Sequence, residues 1–139
     1  MHLPLTILAL LPLLTTAFLL PRQPLPPYFI LAGDSTTAKS NGQTGGWGDG
    51  FLALLAPPAA GINLGHNGRT TASFRHPDWD NVIAEIKNHT AKASVYVTIQ
   101  FGHNDKNTER SGVSEAQFRT NLEALAGEVK SAGATPVCF

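Results

Sequence analysis

Short apolar runs alternate with amphipathic stretches along the chain. Three runs predict buried strands, at residues 28–32, 61–64 and 94–101, and the third is the richest in β-branched and aromatic side chains. A fourth run, at residues 135–139, has the composition of a further strand. Glycines and polar residues directly follow the first three runs, which is typical of strands that open into loops.

Helical periodicity marks the stretches between these runs. Pro77 suits the first turn of the second helix, Ser114 and Gln117 form a capping box at the start of the third, and Gly133 ends it. The apolar positions at helical spacing are Trp47, Phe51, Leu54 and Leu55, then Trp79, Val82, Ile83 and Ile86, and then Phe118, Leu122, Leu125 and Val129. We expect both tryptophans and Phe118 to be core residues.

Strands that alternate with helices require crossover connections, which are right-handed and produce a parallel sheet. We therefore predict an α/β fold of the doubly wound, flavodoxin-like class, with helices on both faces of the sheet. In such sheets ligands bind outside the carboxyl ends of the strands. Ser35, Gly68 and Asn104 follow the first, second and third predicted strands, so we expect them at one edge.

The N-terminal segment is almost wholly apolar and carries no Asp, Glu, Lys or Arg before Arg22. It predicts a signal peptide over residues 1–17, with small residues ahead of a cleavage site after Ala17. Residues 18–27 then predict an extended, proline-rich lead-in, and residues 28–139 the folded part.

An uncleaved signal anchor is the alternative, because the apolar segment approaches the length that spans a bilayer. Pro4 and Pro12 disfavour a membrane-spanning helix there. The sequon that begins at Asn88 predicts a surface glycosylation site, which agrees with a secreted, extracellular protein.

Composition excludes several other classes of protein. A chain of 139 residues allows one domain at most, and we expect a monomer. Lys and Arg number 10 against 10 Asp and Glu, without a basic cluster, which argues against nucleic acid as a partner. Cys138 is the only cysteine, and no Cys or His pairs have zinc-ligand spacing, so we expect neither a disulfide nor a metal site.

The residues after the strands have the types that acyl transfer needs. A serine at the end of a strand can present its hydroxyl as a nucleophile, and Gly33, just before Asp34 and Ser35, would permit an unusual backbone angle there. The developing oxyanion needs donors such as the Ser35 N–H, the N–H of a glycine and a side-chain amide. Gly68 and Asn104 have the right chemistry for the last two roles.

These residues belong to recognisable motifs. GDST at 33–36, NGRT at 67–70 and GHND at 102–105 resemble the first three motif blocks of the SGNH (GDSL-like) hydrolase superfamily. The wider segments AGDSTTAK, NGQTGGWGDGFLALL and VTIQFGHND are most similar to rhamnogalacturonan acetylesterases of carbohydrate esterase family 12, which are secreted and remove acetyl groups from pectin.

The resemblance implies an SGNH-type α/β fold and an acetylated polysaccharide substrate. It also implies that Ser35 is the nucleophile, that the Ser35 N–H, the Gly68 N–H and the Asn104 amide form the oxyanion hole, and that no cofactor is needed. Residues 28–139 then correspond to the N-terminal part of an SGNH hydrolase domain, incomplete at its C-terminus.

One motif of the superfamily is missing. Its general base is a histidine in an Asp-x-x-His block, and that tetrapeptide does not occur in the 139 residues. We therefore expect a C-terminally truncated domain that is inactive or nearly so, because a serine without a base is a poor nucleophile. His103 is a possible substitute base, but it is fixed beside Asn104. The alternatives are another secreted acyl-ester hydrolase, lipase-like or specific for acetylated xylan, and a non-catalytic secreted or membrane-tethered remnant.

Several polar side chains near the motifs have two interpretations. Arg69 follows the oxyanion glycine and would pair with a galacturonate carboxylate, or else it faces solvent or braces its loop. Asp34 and Asp105 are interpreted as structural hydrogen-bond acceptors at strand ends. The remaining histidines with polar neighbours are interpreted as solvated, namely His66, His76 and His89.

Overall fold

A computed structural model describes residues 23–42 and 45–139 of the chain. The predicted signal peptide and the first part of the lead-in lie outside the described residues. In the described part, none of the helices is long and apolar enough to cross a membrane.

Parallel strands form the centre of the fold. The strands are β1 (Pro27–Gly33), β2 (Ala60–Asn63), β3 (Ser94–Gln100) and β4 (Thr135–Cys138). They pair in the order β2-β1-β3-β4, so the two longest strands are central and the chain crosses over between neighbours. This order and the parallel pairing confirm the predicted doubly wound α/β class.

The helices connect the strands and cover both faces of the sheet. They are α1 (Gly48–Ala53), α2 (Asp78–His89), α3 (Thr108–Ser111) and α4 (Glu115–Ser131). Helices α2 and α4 pack on the face that carries Ile30, Val97 and Ile99, and helix α1 lies on the opposite face. There the Phe51 ring meets the Phe29 ring edge-on at 5.1 Å.

The core lies mainly between the sheet and the pair α2 and α4. Its fully buried side chains come from both layers, and each contributes about 1.5–3 kcal/mol by leaving water. The largest of them are Phe74, Ile30, Ile86, Ile99, Leu125, Val82, Val97 and Val129. The stripes predicted for α2 and α4 therefore face the core as expected.

The ends of α4 also follow the sequence prediction. The Ser114 hydroxyl accepts a hydrogen bond of 3.2 Å from the Gln117 N–H. At the other end Gly133 has a φ of 88°, a left-handed angle that only glycine adopts without cost, and the helix stops there.

Three sequence predictions about helices were wrong. Helix α1 ends at Ala53, so Leu54 is its C-cap and is 85% exposed. Trp47 is 36% exposed and is not a core residue, whereas Trp79 is buried and Phe118 packs against the core. Pro77 occupies the N-cap position of α2 and precedes the first turn.

Helix α3 was not predicted, because four residues are too few to show an apolar period.

Candidate active site

The three motif loops leave the sheet side by side. Gly33 and Gln100 are partners in the pairing of β1 with β3, and the Asp34 N–H donates to the Gln100 carbonyl at 3.3 Å. On the other side the His66 N–H donates to the Gly33 carbonyl at 2.9 Å. The loops that carry Ser35, Gly68 and Asn104 therefore start at one edge of the sheet, as the topology predicted.

Ser35 lies in a tight turn built on Asp34. The Asp34 carbonyl accepts from the N–H groups of Thr37 at 3.1 Å and Ala38 at 3.0 Å. The buried Asp34 carboxylate also accepts from the Thr36 N–H at 2.9 Å, which confirms its interpretation as a structural acceptor. Ser35 itself is half-buried, and within residues 23–42 and 45–139 no group accepts a hydrogen bond from its hydroxyl.

Glycine is required at position 33 because there is no space for a side chain. Its φ does not lie in the left-handed region. A Cβ atom at this position would overlap the Thr37 hydroxyl and lie 2.7 Å from the Gln100 carbonyl oxygen. The prediction of an unusual backbone angle at Gly33 is therefore wrong. The close contact between β3 and the Ser35 turn is what excludes a side chain.

Gln100 supports the same turn from β3. Its side-chain oxygen accepts from the Thr37 hydroxyl at 2.9 Å and also from the Thr36 hydroxyl. One amide thus ties together both residues that follow Ser35. Gln100 was not among the predicted site residues, although a polar side chain at the end of an otherwise buried strand was a usable signal.

Gly68 lies in a turn that requires glycine for its angle. The Arg69 N–H reaches the His66 carbonyl at 3.4 Å, and Gly68, at the third position, has a φ of 77°. A turn in which only the third residue has a positive φ is a type II turn. In the described part of the chain no group accepts from the Gly68 N–H, which leaves this donor for a ligand.

Asn104 and Asp105 connect the loop after β3 to the loop after β2. The Asn104 side-chain amide donates to the Arg69 carbonyl at 2.8 Å, which uses one of its two N–H groups. The buried Asp105 carboxylate accepts from the Thr71 N–H at 2.9 Å and from the Thr71 hydroxyl at 2.6 Å. Asp105 is therefore a structural acceptor, as predicted.

Of the three residues predicted to form the oxyanion hole, the two other than Ser35 line one polar cleft of about 410 Å³. Gly68 and Asn104 both line it, together with His103, Lys106 and Arg110. Ser35 does not line this cleft.

Arg69 is braced by an ion pair. Its Nε lies 2.7 Å from a carboxylate oxygen of Asp78, off the angle of a hydrogen bond, and the other oxygen of Asp78 is 2.8 Å from Nδ1 of His66. This ion pair agrees with the interpretation of Arg69 as a brace of its loop, and the contact with a substrate carboxylate stays a prediction. The prediction that His66 is merely solvated was wrong.

The other two histidines also have neighbours. His76 lies 2.9 Å from the Asp80 carboxylate on the surface, and the His89 ring stacks on Tyr28 at 3.7 Å between centroids. Burial of Tyr28, followed by the charge of Glu85, raises the pKa of its phenol. These contacts lie away from the cleft and have a structural role.

A second polar network stabilises the far side of the Ser35 turn. The buried Asn63 amide donates to the Thr37 carbonyl at 2.8 Å and to the Asp49 carboxylate at 2.9 Å. The Asn63 hydrogen bond, and after it the Ser40 N–H, lowers the pKa of Asp49 below its ordinary value of 3.8. Asp49 is therefore held as a charged acceptor that links α1 to the end of β2.

Two further sequence predictions concern the surface and metals. Asn88, the predicted glycosylation site, is exposed in the last turn of α2. Among the residues that the structure describes, no group of three or more His, Cys, Asp or Glu side chains is placed to hold a metal ion.

Comparison with known proteins identifies the family. Residues 31–139 match the GDSL-like lipase/acylhydrolase family, which is more than half of the chain. The chain belongs to that family. A search of curated proteins finds no significant match to this GDSL-family chain.

Solved structures of similar fold include esterases. The acetylxylan esterase Axe2 from Geobacillus stearothermophilus is 22% identical with a TM-score of 0.57, over 80% of this chain and 57% of that one. A member of the lipolytic G-D-S-L family from Veillonella parvula is 18% identical with a TM-score of 0.54, over 81% of this chain and 57% of that one. The GDSL-family chain thus shares their fold and spans somewhat more than half of their length.

Proposed function

We propose that this GDSL-family protein removes acetyl groups from a cell-wall polysaccharide, with Ser35 as the nucleophile. The observation that carries the proposal is the placement of Ser35, Gly68 and Asn104 on three loops that leave one sheet edge together. The last two share a cleft, and each offers a donor that has no acceptor in the described part of the chain. This is the donor set that stabilises an oxyanion in acyl transfer.

The proposed reaction has two steps. The Ser35 hydroxyl oxygen attacks the acetyl carbonyl carbon, and the negative charge on the carbonyl oxygen is held by the Ser35 N–H, the Gly68 N–H and the Asn104 amide. The bond to the sugar oxygen breaks, and that oxygen leaves with the proton of the serine. Water then attacks acetyl-Ser35, which releases acetate and restores the hydroxyl.

The proton of Ser35 needs an acceptor in this scheme. The Asp-x-x-His block is absent from the 139 residues. His103 is exposed and directly precedes Asn104 in the chain. We therefore propose that the 139-residue chain alone retains at most the residual rate that binding and an oxyanion hole supply without a base.

Two acetylated polysaccharides are candidate substrates. The motif segments around Ser35 and Asn104 resemble those of rhamnogalacturonan acetylesterases, which favours acetylated pectin. The structural neighbour Axe2 acts on acetylated xylan, and two of its structures are catalytic mutants, one at a serine and one at an aspartate. This neighbour supports a serine mechanism and makes xylan the second candidate.

We also propose that the protein is secreted. Support comes from the apolar segment at residues 3–20 and from the exposed position of the Asn88 sequon. Intact-mass analysis of the secreted protein tests the cleavage after Ala17 and any glycan at Asn88 together. Retention of residues 1–17 would contradict cleavage and favour the signal anchor.

The activity is tested with a covalent probe and with substrates. Because the 139 residues contain no Asp-x-x-His block, a fluorophosphonate probe should label Ser35 only slowly in this chain, with the site located by peptide mass spectrometry. Ser35→Ala should remove the label. Acetate release should be faster from acetylated pectin than from acetylated xylan. The reverse preference would favour the second candidate, and a chain that melts cooperatively but takes no label would be a non-catalytic protein.

A further inference from the structure

The cleft beside Gly68 and Asn104 is positively charged. Lys106 and Arg110 line it, and its lining contains no carboxylate. Two cations in a concave site without a counter-charge raise the local concentration of anions. The chemistry of this lining therefore differs from that of a neutral sugar site, which needs only hydroxyl and amide groups.

Arg110 differs from the other arginines that the structure describes. In residues 23–42 and 45–139 it has no ion-pair partner. The others each lie within 3.1 Å of a carboxylate oxygen: Arg69 pairs with Asp78, Arg75 with Glu128 and Arg119 with Glu123. An available guanidinium in a cleft is the group that binds a carboxylate in two-pronged geometry.

The backbone that carries Arg110 is held in place although α3 is short. The Asn107 side chain caps the turn by accepting from the Arg110 N–H at 3.2 Å, and Gly112 closes it with a φ of 68°. The Ser111 hydroxyl donates to the Asp105 carbonyl at 3.0 Å, which ties the turn to the loop of Asn104. The backbone of Arg110 is thus anchored to the loop that carries Asn104.

We propose that Lys106 and Arg110 form a subsite for the carboxylate of a hexuronate residue in the polysaccharide chain. This inference rests on the proposed function, because it places the uronate beside the sugar whose acetyl group reaches Gly68 and Asn104. Arg69 was the sequence-based candidate for this contact, but its Nε already lies 2.7 Å from a carboxylate oxygen of Asp78, whereas Arg110 has no carboxylate partner in the described part of the chain. The carboxylate subsite therefore lies one loop further along, after β3.

Two polysaccharides supply this chemistry. Galacturonate occurs in the backbone of pectin, and glucuronate occurs as a side group on some xylans, so the shared ligand is a hexuronate carboxylate. Unsubstituted xylan has no carboxylate. Binding of the three types of oligosaccharide therefore identifies the source and separates charge recognition from general sugar binding.

Binding is measured by calorimetry on the full chain with deacetylated oligosaccharides, so that no turnover is needed. The probes are oligogalacturonate, a glucuronate-bearing xylo-oligosaccharide and neutral xylohexaose. At least one uronate probe should bind more tightly than the neutral one, and its affinity should fall with added salt. Lys106→Ala and Arg110→Ala should each weaken uronate binding by about tenfold, the usual effect of losing one charged hydrogen bond.

Lys130→Ala is the matched control, because Lys130 is an exposed cation at the end of α4 that does not line the cleft. It should leave uronate binding unchanged, and thermal melts should show all three variants folded. Equal weakening by Lys130→Ala, equal affinity for xylohexaose, or no binding by any probe would overturn the subsite. Labelling of Ser35 by the fluorophosphonate is a separate readout, so loss of the subsite and loss of the proposed activity are distinguishable.

Discussion

The side-chain amide of Asn104 donates a 2.8 Å hydrogen bond to the backbone carbonyl of Arg69. This bond joins the loop after β3 to the type II turn that presents Gly68. One N–H of the amide is used to fix its orientation, and the other remains for a ligand. This hydrogen bond and those from Thr71 to Asp105 therefore position the Asn104 amide and the Gly68 turn relative to each other.

Asn104→Ala should lower both stability and serine reactivity. Loss of the bond to Arg69 should reduce the free energy of unfolding by about 1 kcal/mol, measured by urea denaturation. Loss of the oxyanion donor should slow fluorophosphonate labelling of Ser35 by about 100-fold or more. Asn81→Ala, in an exposed position of α2, is the control and should change neither quantity appreciably. Unchanged labelling in Asn104→Ala would remove Asn104 from the proposed oxyanion hole.

Gln100 should be necessary for the shape of the Ser35 turn. Gln100→Leu removes the acceptor of the Thr37 hydroxyl, whereas the Thr36 hydroxyl keeps the Asp34 carboxylate as an acceptor. Because Thr37 is fully buried, we expect a loss of about 1–3 kcal/mol. Gln100→Glu keeps an acceptor at this position and should retain most of the stability at neutral pH. Urea denaturation of both variants tests this, and a Gln100→Leu protein as stable as the parent would contradict it.

Two glycines give opposite predictions for the same substitution. A Cβ at Gly46 would overlap the Thr36 carbonyl, whose oxygen is already fixed by the Trp47 N–H at 2.8 Å, so Gly46→Ala should destabilise by about 1–3 kcal/mol. Gly127 lies inside α4 with open space around it, so Gly127→Ala should stabilise by about 1 kcal/mol. Melting temperatures measured side by side check both signs. A stabilised Gly46→Ala would mean that the Ser35 turn is not tightly packed.

The elements that could be predicted from the sequence are those with a long apolar run or with clear capping residues. The β3 run is apolar and β-branched, and α4 begins at Ser114 and ends at Gly133 through local contacts that need no tertiary information. The order of Ser35, Gly68 and Asn104 along one sheet edge follows from parallel topology alone. The predictions for β3 and α4 held because they depend on residues close together in the chain, and the shared sheet edge held because alternating strands and helices produce a parallel sheet.

The contacts that sequence could not predict are those made between distant loops. Asp78 reaches Arg69 only because the chain after Gly68 turns back before α2, and Gln100 meets the Ser35 turn across the pairing of β1 with β3. Periodicity also gave too long an α1, because Leu54 has helical spacing but lies beyond the end of the helix. Long-range contacts decided the cases of Asp78 and Gln100.

The charge on Asp49 should make the Ser35 side of the fold sensitive to acid. Because hydrogen bonds from Asn63 and then Ser40 lower the pKa of Asp49 in the folded protein, the unfolded chain takes up its proton first as the pH falls. The stabilisation is therefore fully present above 3.8 and is lost as the pH falls from there through the lower folded pKa.

Asp49→Ala should accordingly destabilise the protein at pH 7 and progressively less below pH 3.8, measured by urea denaturation across that range. Glu123→Ala, in an exposed ion pair on α4, is the control and should have little effect at any pH. A difference between the parent and Asp49→Ala that stays constant from pH 7 to acid would show that Asp49 contributes through packing of α1 alone. In that case the Asn63 hydrogen bond would not favour the charged carboxylate, and the link between β2 and the turn of Ser35 would rest on the Thr37 carbonyl.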